Sequence, residues 1–144
     1  MRITRKYRFS ASHRLHAMEL SADENRETYG KCDNPFGHGH DYELAVSARG
    51  PVDARSGRVL NPEALDRLVA AEVLEPFHYR NLSVEVPAFR DSVPTTENLA
   101  VEIMRRLRQK WASAFPGCAA ELEKVSIAET PRNIFEVSEI HGKT

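Results

Sequence analysis

From His38 to Ala48 every second residue, His38, His40, Tyr42, Leu44, Val46 and Ala48, is apolar or aromatic-like, while the residues between are mostly polar. Side chains alternate faces along a strand, so this run can bury one side only if it is extended. It therefore predicts a β-strand over about His38 to Arg49, with its two histidines at one end of the buried face. The first segment repeats the pattern. Ile3, Tyr7, Phe9, Ala11 and His13 share one parity, and the third histidine again ends an apolar face.

The rest of the chain reads as two helices and two further strands. Asn61-Pro62 supplies an N-cap with proline in the first turn. Leu65, Leu68, Val69 and Val73 then form a buried stripe to about Leu74, where Glu75-Pro76 marks a stop. A second helix begins at Thr95 or Thr96, with Leu99, Ile103, Leu107 and Trp111 at four-residue spacing. Glu121 to Glu129 and Asn133 to Ile140 read as strands joined by Thr130-Pro131-Arg132. The order β, β, α, α, β, β is α+β: an antiparallel four-stranded sheet with two helices on one face. Residues 19 to 37 are polar and read as a long loop of the kind that carries function.

Composition narrows the setting. A chain of 144 residues is long enough for one domain with its own core, and no linker or repeat divides it. The formal net charge of −1, with acids and bases interspersed, gives no basic face for nucleic acid; Arg105 to Lys110 lies on a helix as a solvated face. Two distant cysteines, Cys32 and Cys118, form no disulfide framework, and no apolar run is long enough for a membrane span. A reducing, cytoplasmic setting is expected, without nucleic-acid or membrane partners.

Neutral imidazole is the commonest protein ligand for zinc, and a catalytic zinc site has three protein ligands and one open position. His38 and His40 project from the same strand face with Cβ atoms about 6 to 7 Å apart, and His13 ends another strand on its apolar face. The pattern alone fits a zinc site and equally a set of hydrogen-bonded histidines. Gly37 and Gly39 leave room beside His38 for a ligand or another backbone. His16 and His141 read as surface or loop residues. Cys32, beside Lys31, reads as a reactive thiol whose thiolate the lysine favours, whereas Cys118 has no comparable surroundings. Glu129, in phase with Val125 and Ile127, puts a carboxylate at the rim of the core, where it needs donors.

Four stretches taken together resemble one family: Phe9-Ser10-Ala11-Ser12-His13-Arg14-Leu15-His16, Gly30-Lys31-Cys32-Asp33-Asn34-Pro35-Phe36-Gly37-His38-Gly39-His40, Pro94-Thr95-Thr96-Glu97-Asn98, and Glu129-Thr130. On these the chain is identified as a member of the 6-pyruvoyl-tetrahydropterin synthase and 6-carboxytetrahydropterin synthase family. The resemblance implies the tunnelling fold, with ββααββ subunits forming trimeric barrels that stack in pairs into a homohexamer with sites at subunit interfaces. It implies a dihydropterin substrate, above all 7,8-dihydroneopterin triphosphate, from which triphosphate is eliminated, and no external redox cofactor. It further implies Zn2+ on His13, His38 and His40, and Cys32 as base. Glu129 would grip the pterin's amino group and ring N–H, Thr95, Thr96 and Glu97 would lie near the ring, and Lys31 and Arg14 near the triphosphate.

The spacing of five residues between Cys32 and His38 resembles the pyruvoyl branch more than the queuosine-pathway carboxy branch, which is the alternative. One motif departs from the family. Where an Asp-His relay pair is expected, anchoring on Pro76, Arg80, Asn81 and Leu82 places His78 and Tyr79. Alternatively, one extra loop residue brings His78 itself into the relay position. Full turnover is one expectation; zinc and pterin binding with partial catalysis is another.

Overall fold

The computed structural model describes residues 1–34 and 37–138. Strands β1 (Arg2–His13), β2 (His38–Arg49), β3 (Glu121–Thr130) and β4 (Asn133–Ser138) form one antiparallel sheet in the order β1-β2-β3-β4. The α+β class with a four-stranded antiparallel sheet is as the sequence predicts. Residues 139 and 140, expected to extend the last strand, and His141, expected in a loop, lie outside the described residues, as do Pro35 and Phe36.

One face of the sheet is the core. Phe9, Tyr42, Leu44, Val46, Val125 and Ile127 are buried there, at the positions that share parity in the sequence. Against them pack helix α2 (Pro62–Val69), capped by the Asn61 side chain, and the long Thr95-capped helix whose number follows from two shorter ones, α3 (Glu75–Phe77) and α4 (Leu82–Glu85). That helix is α5 (Thr96–Ala114). Its residues Leu99, Ile103 and Leu107 are fully buried, and Trp111 closes the end of the stripe by donating its indole N–H to the Ala120 carbonyl at 3.1 Å.

Two expectations are corrected. The polar stretch from residue 19 is not all loop: it contains α1 (Ala22–Tyr29) and a 3₁₀ turn, Gly30–Asp33. The helix has no apolar stripe to announce it. What forms it is a capping box, in which Ser21 accepts from the Glu24 N–H and Glu24 accepts from the Ser21 N–H, and the buried Asn25 side chain binds the backbone at Ala17, Leu20 and Ser21.

The second correction concerns Pro76, which does not end the helical run. Between α2 and α3 the backbone forms a π-helical turn, Ala70–Leu74, in which the Glu75 N–H bonds the Ala70 carbonyl. A proline inside an α-helix lacks a donor and crowds the carbonyl four residues back. The wider turn lets the chain run on through Pro76, so that Phe77 reaches the core and Arg106 of α5 lies 4.9 Å over its ring.

The helix stripe yields a direct contrast. Leu99→Ala removes a fully buried side chain and is expected to lower stability by about 2 to 5 kcal/mol in urea unfolding, whereas Val101→Ala, at an exposed position two residues on, should change it by less than about 0.5 kcal/mol.

Candidate metal and pterin site

Antiparallel pairing of β1 with β2 sets His13 opposite His38 and Ala11 opposite His40. All three rings point to the core face and lie mutually edge-on, with centroids 5.0, 5.0 and 4.6 Å apart. One nitrogen from each lies within 4.8 Å of the others. Gly37 makes this possible from behind: at φ 71° its α-carbon presses so close to the His13 carbonyl that a Cβ would sit 2.9 Å from the oxygen. Gly39 meets no such crowding: a Cβ there would come no closer than 3.9 Å, to the Ala11 carbonyl.

His13 is wholly buried and donates its Nδ1–H to the Pro94 carbonyl at 2.8 Å. That bond selects the tautomer with a bare lone pair on Nε2. The Nε2 atoms of His13, His38 and His40 are all buried, and none has a hydrogen-bond partner. Buried polar atoms are rarely left so. Three unpartnered imidazole nitrogens converging on one point form the donor set of a divalent, nitrogen-binding ion, and zinc fits it. Burial holds the His13 and His40 rings below their ordinary pKa, in the neutral form that ligation requires.

Glu129 enters from β3 beside a bulge between Ala128 and Thr130, with Oε1 3.3 Å from His40 Nε2 and 3.7 Å from His13 Nε2. Pro94 carries the other side of the site. The following Thr95 caps α5 by accepting from the Asn98 N–H, Thr96 is buried in the first turn, and Glu97 is exposed.

Cys32 lies on the 3₁₀ turn after α1, half-buried, and its carbonyl accepts from the Leu15 N–H at 2.8 Å. Its electrostatics reverse the expectation drawn from Lys31. Burial, and then the Glu129 carboxylate, push the thiol pKa up; the exposed Lys31 acts in the opposite sense but more weakly. A lysine adjacent in sequence points into solvent, where its charge is screened. Cys118 packs at the opposite end of the core near the Val59 carbonyl.

His16 is a loop residue, as expected, but not a free one. Its Nδ1 is 2.6 Å from Asp33 Oδ1, and Arg14 reaches the same carboxylate and the Asp33 carbonyl. The three side chains clamp the turn that holds Cys32 to the exit of β1. No spacing in the sequence announces this network, because its members come together only after the intervening helix has folded back.

His78 and Tyr79 sit on the outer edge of β1. The Ser10 N–H donates to His78 Nδ1 at 3.0 Å, the Tyr79 N–H donates to the Ser10 carbonyl at 2.6 Å, and the Ser12 N–H donates to the Arg80 carbonyl at 3.0 Å. The two rings lie 3.7 Å apart. Tyr79 adopts φ 61°, uncommon for a residue with a side chain, and is 81% exposed. Among the described residues neither side chain is hydrogen-bonded to Cys32.

Comparison with known proteins agrees with this arrangement. A profile of the family described as 6-pyruvoyl tetrahydropterin synthase matches residues 2–140. The 6-pyruvoyl tetrahydrobiopterin synthase of Poecilia reticulata is 42% identical over 132 residues, covering 92% of this chain and 86% of that protein. That of Homo sapiens is 40% identical over the same length, covering 92% and 87%. The structure of Caenorhabditis elegans 6-pyruvoyl tetrahydropterin synthase superposes with a TM-score of 0.87 at 39% identity, covering 97% of this chain and 96% of that one.

Asp33 gives the site a testable pH dependence. The hydrogen bond from His16, and then the Arg14 charge, hold its carboxyl below the usual range. A depressed carboxyl stabilises the fold above its unfolded pKa, and that contribution is lost as pH falls through the folded value. Asp33→Asn should therefore lower Tm at neutral pH, with the gap to the unsubstituted protein closing as pH falls towards about 3. A gap that stayed constant across that range would show that the charge is not the source.

Proposed function

The chain belongs to the 6-pyruvoyl tetrahydropterin synthase family, and from that premise we propose that it is a zinc-dependent lyase that eliminates triphosphate from 7,8-dihydroneopterin triphosphate. The observation that carries the zinc reading is the convergence of three buried, unpartnered Nε2 atoms on His13, His38 and His40. The names of the two relatives cited above, both 6-pyruvoyl tetrahydrobiopterin synthases, favour that branch over 6-carboxytetrahydropterin synthesis.

When bound, zinc supplies Lewis-acid polarisation of the substrate's side-chain oxygens, which makes the neighbouring C–H protons easier to remove. The remaining work falls to the chain's own groups. Glu129, acceptor-only when ionised, takes two donors from the pterin's amino group and ring N–H, and so fixes which carbon faces the thiol. Thr95, Thr96 and Glu97 lie at the ring's other side, and Lys31 and Arg14 near the phosphates. Cys32 removes the C–H proton. Its raised pKa makes the thiolate scarcer but a stronger base, and drawing pterin donors onto Glu129 weakens the negative charge that keeps the thiol protonated.

His78 and Tyr79 stand where the family's Asp-His relay is expected. Because His78 Nδ1 is committed to the β1 edge and Tyr79 points into solvent, their part in proton transfer is assigned to the site of a neighbouring subunit. A phenol in place of the imidazole offers a hydroxyl donor where the relay needs a base, so the relay is altered and slower turnover is expected. The whole chain acts as one pterin-binding domain. It assembles as a homohexamer, since β4 and the part of β1 before Phe9 are the open edges of the sheet and Ile134 on β4 is exposed. Among the described residues no helix is long and apolar enough to cross a membrane, in keeping with a cytoplasmic enzyme.

Purified protein should bind one zinc per subunit and release triphosphate from 7,8-dihydroneopterin triphosphate. His38→Ala and His40→Ala should lose most of the metal by elemental analysis; full occupancy in both would defeat the assignment. Cys32→Ala should abolish turnover by at least about a hundredfold while pterin binding, read by fluorescence, persists. Installing Asp at 78 together with His at 79 should raise kcat if the altered pair limits the rate, and light scattering should return the mass of six chains.

A further inference from the structure

Two ligand atoms on one tetrahedral zinc, each about 2.0 to 2.1 Å from the ion, stand about 3.3 to 3.4 Å from each other. Glu129 Oε1 is 3.3 Å from His40 Nε2 and 3.7 Å from His13 Nε2, close to the separation of atoms that share an ion. Neither contact is a hydrogen bond. His13 spends its ring N–H on the Pro94 carbonyl, so the nitrogen facing Glu129 carries a lone pair, and a carboxylate has only lone pairs to offer. His40 Nε2 is likewise buried and without a hydrogen-bond partner. The carboxylate and the bare His13 nitrogen, facing one another in a mostly buried site, repel unless a cation lies between them.

The backbone places the carboxylate there by construction. Glu43 pairs with Ala128, so Glu129 shares the core face with Tyr42 and His40, and the bulge that follows turns its side chain towards the histidines. Its side chain is 16% exposed, leaving one edge open to an incoming molecule.

We propose that in the pterin-free protein Glu129 is the fourth zinc ligand, completing a closed site with His13, His38 and His40, and that a pterin opens the site by drawing this carboxylate off the ion. The inference rests on the zinc and pterin readings above and adds the link between them. Taking two donors side by side turns both oxygens of the carboxylate towards the pterin and draws charge from the oxygen that holds the ion. Ring recognition therefore frees the coordination position that the substrate's side chain needs, and a molecule lacking the ring's N–H donors leaves the site closed.

The zinc-loaded, pterin-free protein tests this by crystallography and by chelator competition. A Glu129 oxygen should lie within about 2.2 Å of the ion. Glu129→Gln should bind zinc at least about tenfold more weakly, since even outer partners of a metal ligand are worth that much. A carboxylate more than about 3 Å away with solvent in the fourth position, or unchanged affinity in the variant, overturns the proposal while leaving the three-histidine reading intact. Failure of the unsubstituted protein to bind zinc overturns both. Should Glu129→Gln not fold, the structure of the unsubstituted protein decides alone.

Discussion

The pairing of β1 with β2 is the constraint on which the rest of the site depends. Period-two alternation puts each histidine on the core face of its own strand, but only the register that sets His13 against His38 gathers them at one end of the sheet. A slip of one residue would turn every side chain of β1 to the opposite face and send Phe9 and Ala11 into solvent with His13. The apolar residues therefore guard the metal geometry: the burial of Phe9, Ala11, Tyr42 and Leu44 excludes the odd-numbered slips that would turn His13 away from the other two histidines. Stability and ligand placement share a single origin here.

What could be read in the sequence, and what could not, follows the same division. Strands and helices that bury a stripe were legible, because the periodicity of Tyr42 to Ala48 or Leu99 to Leu107 is itself the physical cause of burial. Helix α1 was obscured because capping and the Asn25 side chain, not an apolar stripe, hold it together. The passage of the chain through Pro76 was obscured because local rules assume an α-helical pitch. In the site, the three histidines and Glu129 could be placed by parity alone. The Arg14, His16 and Asp33 clamp could not, nor could the sign of the electrostatic effect on Cys32: sequence neighbours such as Lys31 say little about which charges share a buried space.

Electrostatically the site is built around one carboxylate, Glu129. Glu129 adds to the burial that raises both the Cys32 thiol and the Tyr42 phenol, so both groups are held protonated. A cation or hydrogen-bond donor that meets the carboxylate removes its share of that bias, while the larger effect of burial stays. The arrangement ties the protonation of the thiol to occupancy of the site, so that basicity appears when there is a ligand to act upon.

The π-helical turn at Ala70–Leu74 has a consequence for how this stretch tolerates changes of length. It stores one residue more than an α-helical pitch requires, and each residue of a helix is worth about 100° of rotation. Losing a residue from that turn would bring Pro76 into an α-helical pitch, which proline disrupts, and would swing Phe77 out from beneath Arg106 and carry His78 away from Ser10. The helix thus works as a phase adjuster between the core and the rim of β1. Insertions and deletions that ordinary loops absorb would here be converted into angular error at the edge of the sheet.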